Sequence, residues 1–204
     1  AEKEGVSVAV FPELSLTGYT CADLFHQSAL LRGAEAALAG LLKNTGALNV
    51  VAAVGMPVAA DNQLFNCAVL IHRGAILGVV PKSCIPNYNE YYEKRWFSPA
   101  AARVSDTLTL AGQTVPFGED LLFADGGSGL VIGAEICEDL WVPAPPSAML
   151  ALSGANLLIN LSASNELVGK AEYRRELVRQ QSARCYAAYV YASAGPGEST
   201  TDVV

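Results

Sequence analysis

Apolar residues fall in short blocks along this chain, and the spacing inside each block says which element it builds. Val6–Phe11 is valine-rich, lacks clean alternation and stops at Pro12, which predicts a central strand covered on both faces. In Ala29–Leu42, leucine and alanine recur at helical spacing and Gly46 follows, so an amphipathic helix is expected. Leu48–Val54 reads as another buried strand. Cys67–Ile71 and Ile76–Val80 flank His72-Arg73-Gly74-Ala75, a glycine-containing turn that predicts a hairpin.

Between Pro81 and Ser105 the periodicity dissolves into a stretch dense in Tyr, Asn, Pro and charge. Irregular segments of that length are usually functional or disordered, and the aromatic residues here argue against disorder. Thr107–Leu110 and Thr114–Phe117 around Ala111-Gly112 predict a second hairpin, and Gly129–Ile136 a strand leading into Cys137. Pro145-Pro146 opens a helix through Gly154, Leu157–Leu161 is a strand, Gly169–Tyr186 a charged helix and Ala188–Ala192 a last strand. The class is α/β with added hairpins, without internal repeat or linker. The charged start, Ala1 to Gly5, reads as the end of a helix cut from something longer, and Thr201–Val204 as the start of a strand, so truncation at both ends is expected.

Composition narrows the possible partners. At 204 residues and 51% apolar content, one domain with one substantial core is expected. A formal net charge of −7 and the lack of a basic stripe exclude nucleic acid. The longest apolar runs, such as Val50–Ala60, fall short of the ~20 residues that span a bilayer, so no membrane contact is expected. The five cysteines, Cys21, Cys67, Cys84, Cys137 and Cys185, have no spacing suited to zinc or to a disulfide framework, which fits a reducing cytoplasm and predicts no metal. Four of them read as small buried hydrophobes.

Three residues share one placement, since Glu13, Lys82 and Cys137 each follow the end of an apolar strand, where sites in α/β sheets assemble. A thiol is mostly protonated at neutral pH, so a nucleophilic cysteine needs a base, and Glu13 is a candidate. Amide hydrolysis also passes through a tetrahedral oxyanion that a fixed lysine and backbone N–H groups stabilise, a task open to Lys82. By composition alone each of these charges is more ordinarily a solvated loop residue. Cys137 differs from the other cysteines because Glu135, Glu138 and Asp139 surround it, and carboxylates at the end of a buried strand need partners or a purpose. Neither histidine, His26 nor His72, lies in a motif, and surface placement is expected for both. Gly126-Gly127-Ser128-Gly129 lacks the lysine and following helix of a phosphate loop and reads as a turn.

Phe11-Pro12-Glu13-Leu14 with Thr17-Gly18-Tyr19, then Pro81-Lys82-Ser83, then Glu135-Ile136-Cys137-Glu138-Asp139, resemble in this order the glutamate, lysine and cysteine motifs of the nitrilase or carbon–nitrogen hydrolase superfamily. Within it, Ile85-Pro86-Asn87-Tyr88, Tyr92-Glu93-Lys94-Arg95-Trp96-Phe97, Asn160-Leu161-Ser162-Ala163-Ser164, Arg174-Arg175 and the Gly197–Asp202 turn resemble the glutaminase domain of NAD synthetases. The resemblance implies a four-layer αββα sandwich that lacks the family's first and closing elements. It implies that Glu13 moves protons, that Cys137 forms a glutamyl thioester, and that Lys82 and the Glu138 backbone N–H hold the oxyanion.

The same resemblance places Glu93 beside the triad, orienting Lys82 or the substrate; its alternative is a loop ion pair with Lys94 or Arg95. Tyr88, the Glu138 side chain, Ser164 and Lys170 match positions used to hold glutamine, although arginine is frequent where Lys170 stands and lysine lacks its bidentate fork. For Ser164 a helix cap and for Lys170 a solvated position are equally open. Trp141 either walls the pocket or fills core. The family's ATP loop, Ser-Gly-Gly-x-Asp-Ser, is absent from this sequence, so no cofactor is expected in this domain, with ATP and magnesium confined to a separate C-terminal synthetase domain. The expected function is glutamine hydrolysis supplying ammonia for NAD synthesis, with homo-oligomers. A free-standing amidase acting on another small amide and a non-catalytic scaffold are the alternatives.

Overall fold

A computed structural model of the chain describes residues 1–195 and Gly197, so most of the expected Gly197–Asp202 turn and the strand start at Thr201 lie outside the described residues. The first sheet contains β1 (Val8–Val10), β2 (Val51–Ala60), β3 (Gln63–His72) and β4 (Ala75–Pro81), in that order, with β1 parallel to β2 and the rest antiparallel. Two short hairpins follow, β5 (Asn87–Tyr88) with β6 (Tyr91–Tyr92), and β7 (Thr107–Leu110) with β8 (Gln113–Pro116). The second sheet has the order β12-β11-β10-β9, built from β9 (Leu122–Ala124), β10 (Val131–Ile136), β11 (Leu157–Ser162) and β12 (Ala188–Ser193). Its last three strands are parallel.

Alternation of side chains between the faces of each strand builds the layers. Ala53, Ala68, Leu70 and Val80 of the first sheet pack against Ile132, Ala134, Ile136, Ile159 and Leu161 of the second. On the outer face of the first sheet, Val54, Met56, Val58, Phe65, Cys67 and Val69 meet Ala34, Leu38 and Leu42 of α1 (Ser28–Thr45). Outside the second sheet, Leu158 packs with Leu150 of α2 (Pro146–Leu152), and α3 (Lys170–Cys185) covers β12. The result is the four-layer αββα sandwich of the nitrilase type.

The differences from expectation have local causes. The strand expected over Leu48–Val54 runs on to Ala60, and β3 begins at Gln63. Asp61 and Asn62, with φ of 53° and 56°, join them in a two-residue turn, and residues of this type tolerate the left-handed region. The segment after Pro81 is ordered by packing: Phe25, Trp96 and Phe97 form an aromatic cluster, with Phe25 and Phe97 ring centroids 4.9 Å apart. Of the cysteines expected to be buried hydrophobes, only Cys67 is fully buried; Cys21, Cys84 and Cys185 are half-buried. His26 is exposed and His72 half-buried, paired with Asn49. Gly126–Gly129 is a turn, held by Asp125 accepting from the Ser128 backbone N–H. Among the described residues no helix is long and apolar enough to cross a membrane, and no His/Cys/Asp/Glu group is arranged to hold a metal.

Candidate active site

The strand ends carrying Glu13 and Lys82 belong to β1 and β4, at opposite edges of a four-stranded sheet, roughly 14 Å apart at the spacing of neighbouring strands. Their side chains meet because the chain leaves β1 and crosses the face of β2. It does so over Gly55, where a Cβ would come within 2.2 Å of the Leu14 backbone nitrogen and 2.7 Å of the Pro12 carbonyl oxygen. Glycine is the residue that permits this approach. The crossing is pinned by the Leu16 N–H donating to the Gly55 carbonyl at 3.0 Å and the Glu13 N–H donating to the Ser162 carbonyl at 3.3 Å.

Glu13 and Lys82 are wholly buried, and Glu93 nearly so. Lys82 Nζ donates to Glu13 Oε1 at 2.6 Å and to Glu93 Oε1 and Oε2 at 2.8 and 3.0 Å. Glu93 therefore faces Lys82, and Lys94 and Arg95 are not its partners; Arg95 pairs with Asp23 instead. The Tyr19 hydroxyl donates to Glu93 Oε1 at 2.6 Å, and Asn66 Nδ2 to Glu13 Oε1 at 2.6 Å. Glu13 Oε2, also buried, has no hydrogen-bond partner. Burial pushes the Glu13 carboxyl up to about 7 against the pull of Lys82. Burial alone would lower the Lys82 ammonium, but Glu13 and Glu93 outweigh it and hold the group well above its usual range.

Cys137 lies where β10 turns into a single helical turn, Cys137–Leu140, and its φ of 45° puts a non-glycine residue in the left-handed region. Backbone strain of this kind clusters at functional sites and needs surrounding structure to hold it. Here the Cys137 N–H donates to Asn160 Oδ1 at 3.1 Å, and the Ile136 N–H to Asp139 Oδ2 at 2.9 Å. Asp139 Oδ1 also accepts from the backbone N–H groups of Ser83 and Cys84, at 3.1 and 2.7 Å, fastening the loop after Lys82 to the turn bearing Cys137. Asp139→Ala would leave three N–H donors without this partner, that of Ile136 buried and those of Ser83 and Cys84 half-buried. A loss of about 3 kcal/mol of stability is expected from urea unfolding, and a change below ~0.5 kcal/mol would show the loops do not depend on it.

Cys137 is buried between the inter-sheet core and the charged cluster. Burial, and then the charge of Glu13, push its thiol up to about 12, while Lys82, Ser162 and the Ala163 backbone pull it down. A standing thiolate is therefore scarce at neutral pH.

The remaining expected residues make contacts of their own. The Tyr88 hydroxyl donates to both carboxylate oxygens of Glu138, at 3.0 and 2.9 Å. Lys170 Nζ stands 5.0 Å from the ring centroid of Trp141, which is half-buried, and donates to Asn165 Oδ1. Ser164 is buried, is no helix cap, and accepts from Arg174 Nη2 at 3.3 Å. A cleft of about 770 Å³ runs beside Tyr88 and Glu138, past Ser83, Cys84 and Pro99. A separate cavity of about 550 Å³, lined by Asn49, His72 and Asp125, contains none of these residues. Sequence reasoning missed Tyr19, Asn66, Asp139, Asn160 and the contacts of Arg174. Tyr19, Asp139 and Asn160 stand inside the quoted motifs, but Asn66 sits within an apolar strand, and a lone buried amide there was its only signal.

Fold and site together are those of a carbon–nitrogen hydrolase, and the family model described as carbon-nitrogen hydrolase matches residues 1–202. The chain belongs to that family. It is 51% identical over 201 residues to a glutamine-dependent NAD(+) synthetase of Mycobacterium tuberculosis, covering 98% of this chain and 30% of that relative. A glutamine-dependent NAD(+) synthetase from Cytophaga hutchinsonii superposes with a TM-score of 0.78 at 29% identity, over 95% of this chain and 31% of that one. A nitrilase-superfamily amidase from Nesterenkonia superposes with a TM-score of 0.71 at 17% identity, over 94% of this chain and 64% of that one, and shares the fold. The chain thus spans about a third of the length of the NAD synthetases it matches.

Proposed function

We propose that this domain hydrolyses the side-chain amide of glutamine to glutamate and ammonia through a thioester on Cys137. The observation that carries the reading is the buried Glu13–Lys82–Glu93 cluster set against the strained Cys137 turn, with one oxygen of Glu13 free to accept a proton. The thiol proton passes to Glu13 as sulfur bonds to the amide carbon. Lys82 and the Glu138 backbone N–H hold the oxyanion, and preformed donors of this kind are worth about 10²–10³ in rate. Collapse breaks the C–N bond, and ammonia leaves with the proton from Glu13. Water, activated by the same carboxylate, then cleaves the thioester to glutamate. Glu93 orients Lys82. Tyr88, Glu138, Trp141, Ser164 and Lys170 receive the amino-acid end of glutamine, and the names of the relatives support this substrate. Ammonia then serves a C-terminal synthetase domain outside this chain, which uses ATP and magnesium to amidate nicotinic acid adenine dinucleotide.

Incubation with glutamine, asparagine and aliphatic amides tests the reading. Glutamate release from glutamine in preference to the others is expected, with loss of that release in Cys137→Ala and a glutamyl adduct on Cys137 by mass spectrometry. Preference for another amide would overturn the substrate, and unchanged release in Cys137→Ala the nucleophile.

A further inference from the structure

Nothing in the proposed chemistry explains why both donors to Glu13 crowd one oxygen. Lys82 Nζ and Asn66 Nδ2 each reach Oε1 at 2.6 Å, while Oε2 is equally buried and has no partner. Lysine by itself does not impose this asymmetry, because an ammonium on a flexible stem carries three donors and can address either oxygen. Asn66 has no such freedom. It sits inside β3, opposite Pro57 of β2, and its own carbonyl accepts the Lys82 backbone N–H at 2.8 Å. Its amide is wholly buried and meets Glu13 on one side and, at 3.5 Å, Glu93 Oε2 on the other, while its Oδ1 has no partner. A buried amide oxygen without a partner costs about 1–3 kcal/mol, so packing alone is a poor reason for an asparagine here.

The geometry points to Asn66 as the positioning residue that selects which oxygen of Glu13 takes the Cys137 proton, by occupying Oε1 and leaving Oε2 open. This inference rests on the reading of Glu13 as the base. The donated hydrogen bond also stabilises the ionised carboxylate against its burial, keeping it available as a proton acceptor. Without Asn66, Lys82 is free to occupy either oxygen, and the carboxyl holds its proton to higher pH.

The test is the pH profile of Cys137 alkylation by iodoacetamide, followed by mass spectrometry, which needs no knowledge of the substrate. Asn66→Leu has nearly the same shape and removes the unpaired Oδ1 together with the donor to Glu13, and circular dichroism first establishes that it folds. Its alkylation at neutral pH is expected to fall by about 5-fold and the acid limb to move up by about one pH unit, the two being the same effect on a proton acceptor half ionised near pH 7. Asn66→Asp, isosteric but unable to donate when ionised, should shift the limb further. A parental profile in a folded Asn66 variant overturns the inference, and so does failure of both variants to fold, which would assign Asn66 to the scaffold. If Glu13→Gln leaves the alkylation profile unchanged, the reading of Glu13 as base fails instead.

Discussion

Glu13→Gln is expected to reduce glutamine hydrolysis by at least about 10³-fold and to remove the acid limb of its pH profile. General base catalysis is worth about 10²–10⁴, and here one group serves thioester formation and its hydrolysis. With the Glu13 carboxyl pushed up to about 7 by burial and the Cys137 thiol up to about 12, the parental rate should rise as pH increases through about 7, where Glu13 becomes ionised. This limb is a property of the interacting group and not of one residue. Stability should move the opposite way. A carboxyl whose folded pKa lies above its unfolded value of 4.5 contributes stability fully below that value, and loses it as pH rises through about 7. The amide does not titrate, so the variant should lose this dependence. An acid limb in glutamine turnover persisting in Glu13→Gln would exclude Glu13 as the titrating base.

Lys82→Met should be the most destabilising substitution in the site, by about 3–5 kcal/mol at neutral pH, with hydrolysis lost as well. Lys82 is the cation facing the buried carboxylates Glu13 and Glu93 at hydrogen-bond distance, and removing it leaves two like charges in a low-dielectric interior. The loss should shrink as pH falls, since protonation neutralises Glu13. Pairing the change with Glu13→Gln should restore part of the stability and none of the activity. Thermal unfolding of the single and double variants between pH 5 and 8 measures this; a pH-independent deficit would mean that lost packing, not uncompensated charge, dominates.

Hydrophobic periodicity located both hairpins flanking the long irregular segment, the first α-helix and most of the sheet strands, because it reports which side of each element is buried, whereas Pro145-Pro146 marked the second helix and a run of charge the third. The short strand Leu122–Ala124 escaped it, since three residues are too few for a period to emerge. The extension of β2 to Ala60 escaped too: Asp61-Asn62 is a turn only once the strands on either side are paired.

Local order determined the α/β class and brought Glu13, Lys82 and Cys137 forward at strand ends, because these depend on residue type and short-range pattern, and the resemblance of their motifs to the carbon–nitrogen hydrolase superfamily added Glu93. Only the folded chain decided that two residues on opposite sheet edges touch, that Glu93 faces Lys82 and not its neighbours in sequence, and that Asn66 belongs with them. Those contacts join positions as much as 69 residues apart, and they arise from a backbone crossing at Gly55 and from burial that strips water from the charges. Neither leaves a periodic trace in the order of the amino acids, because proximity across a sheet is set by strand pairing and layer packing.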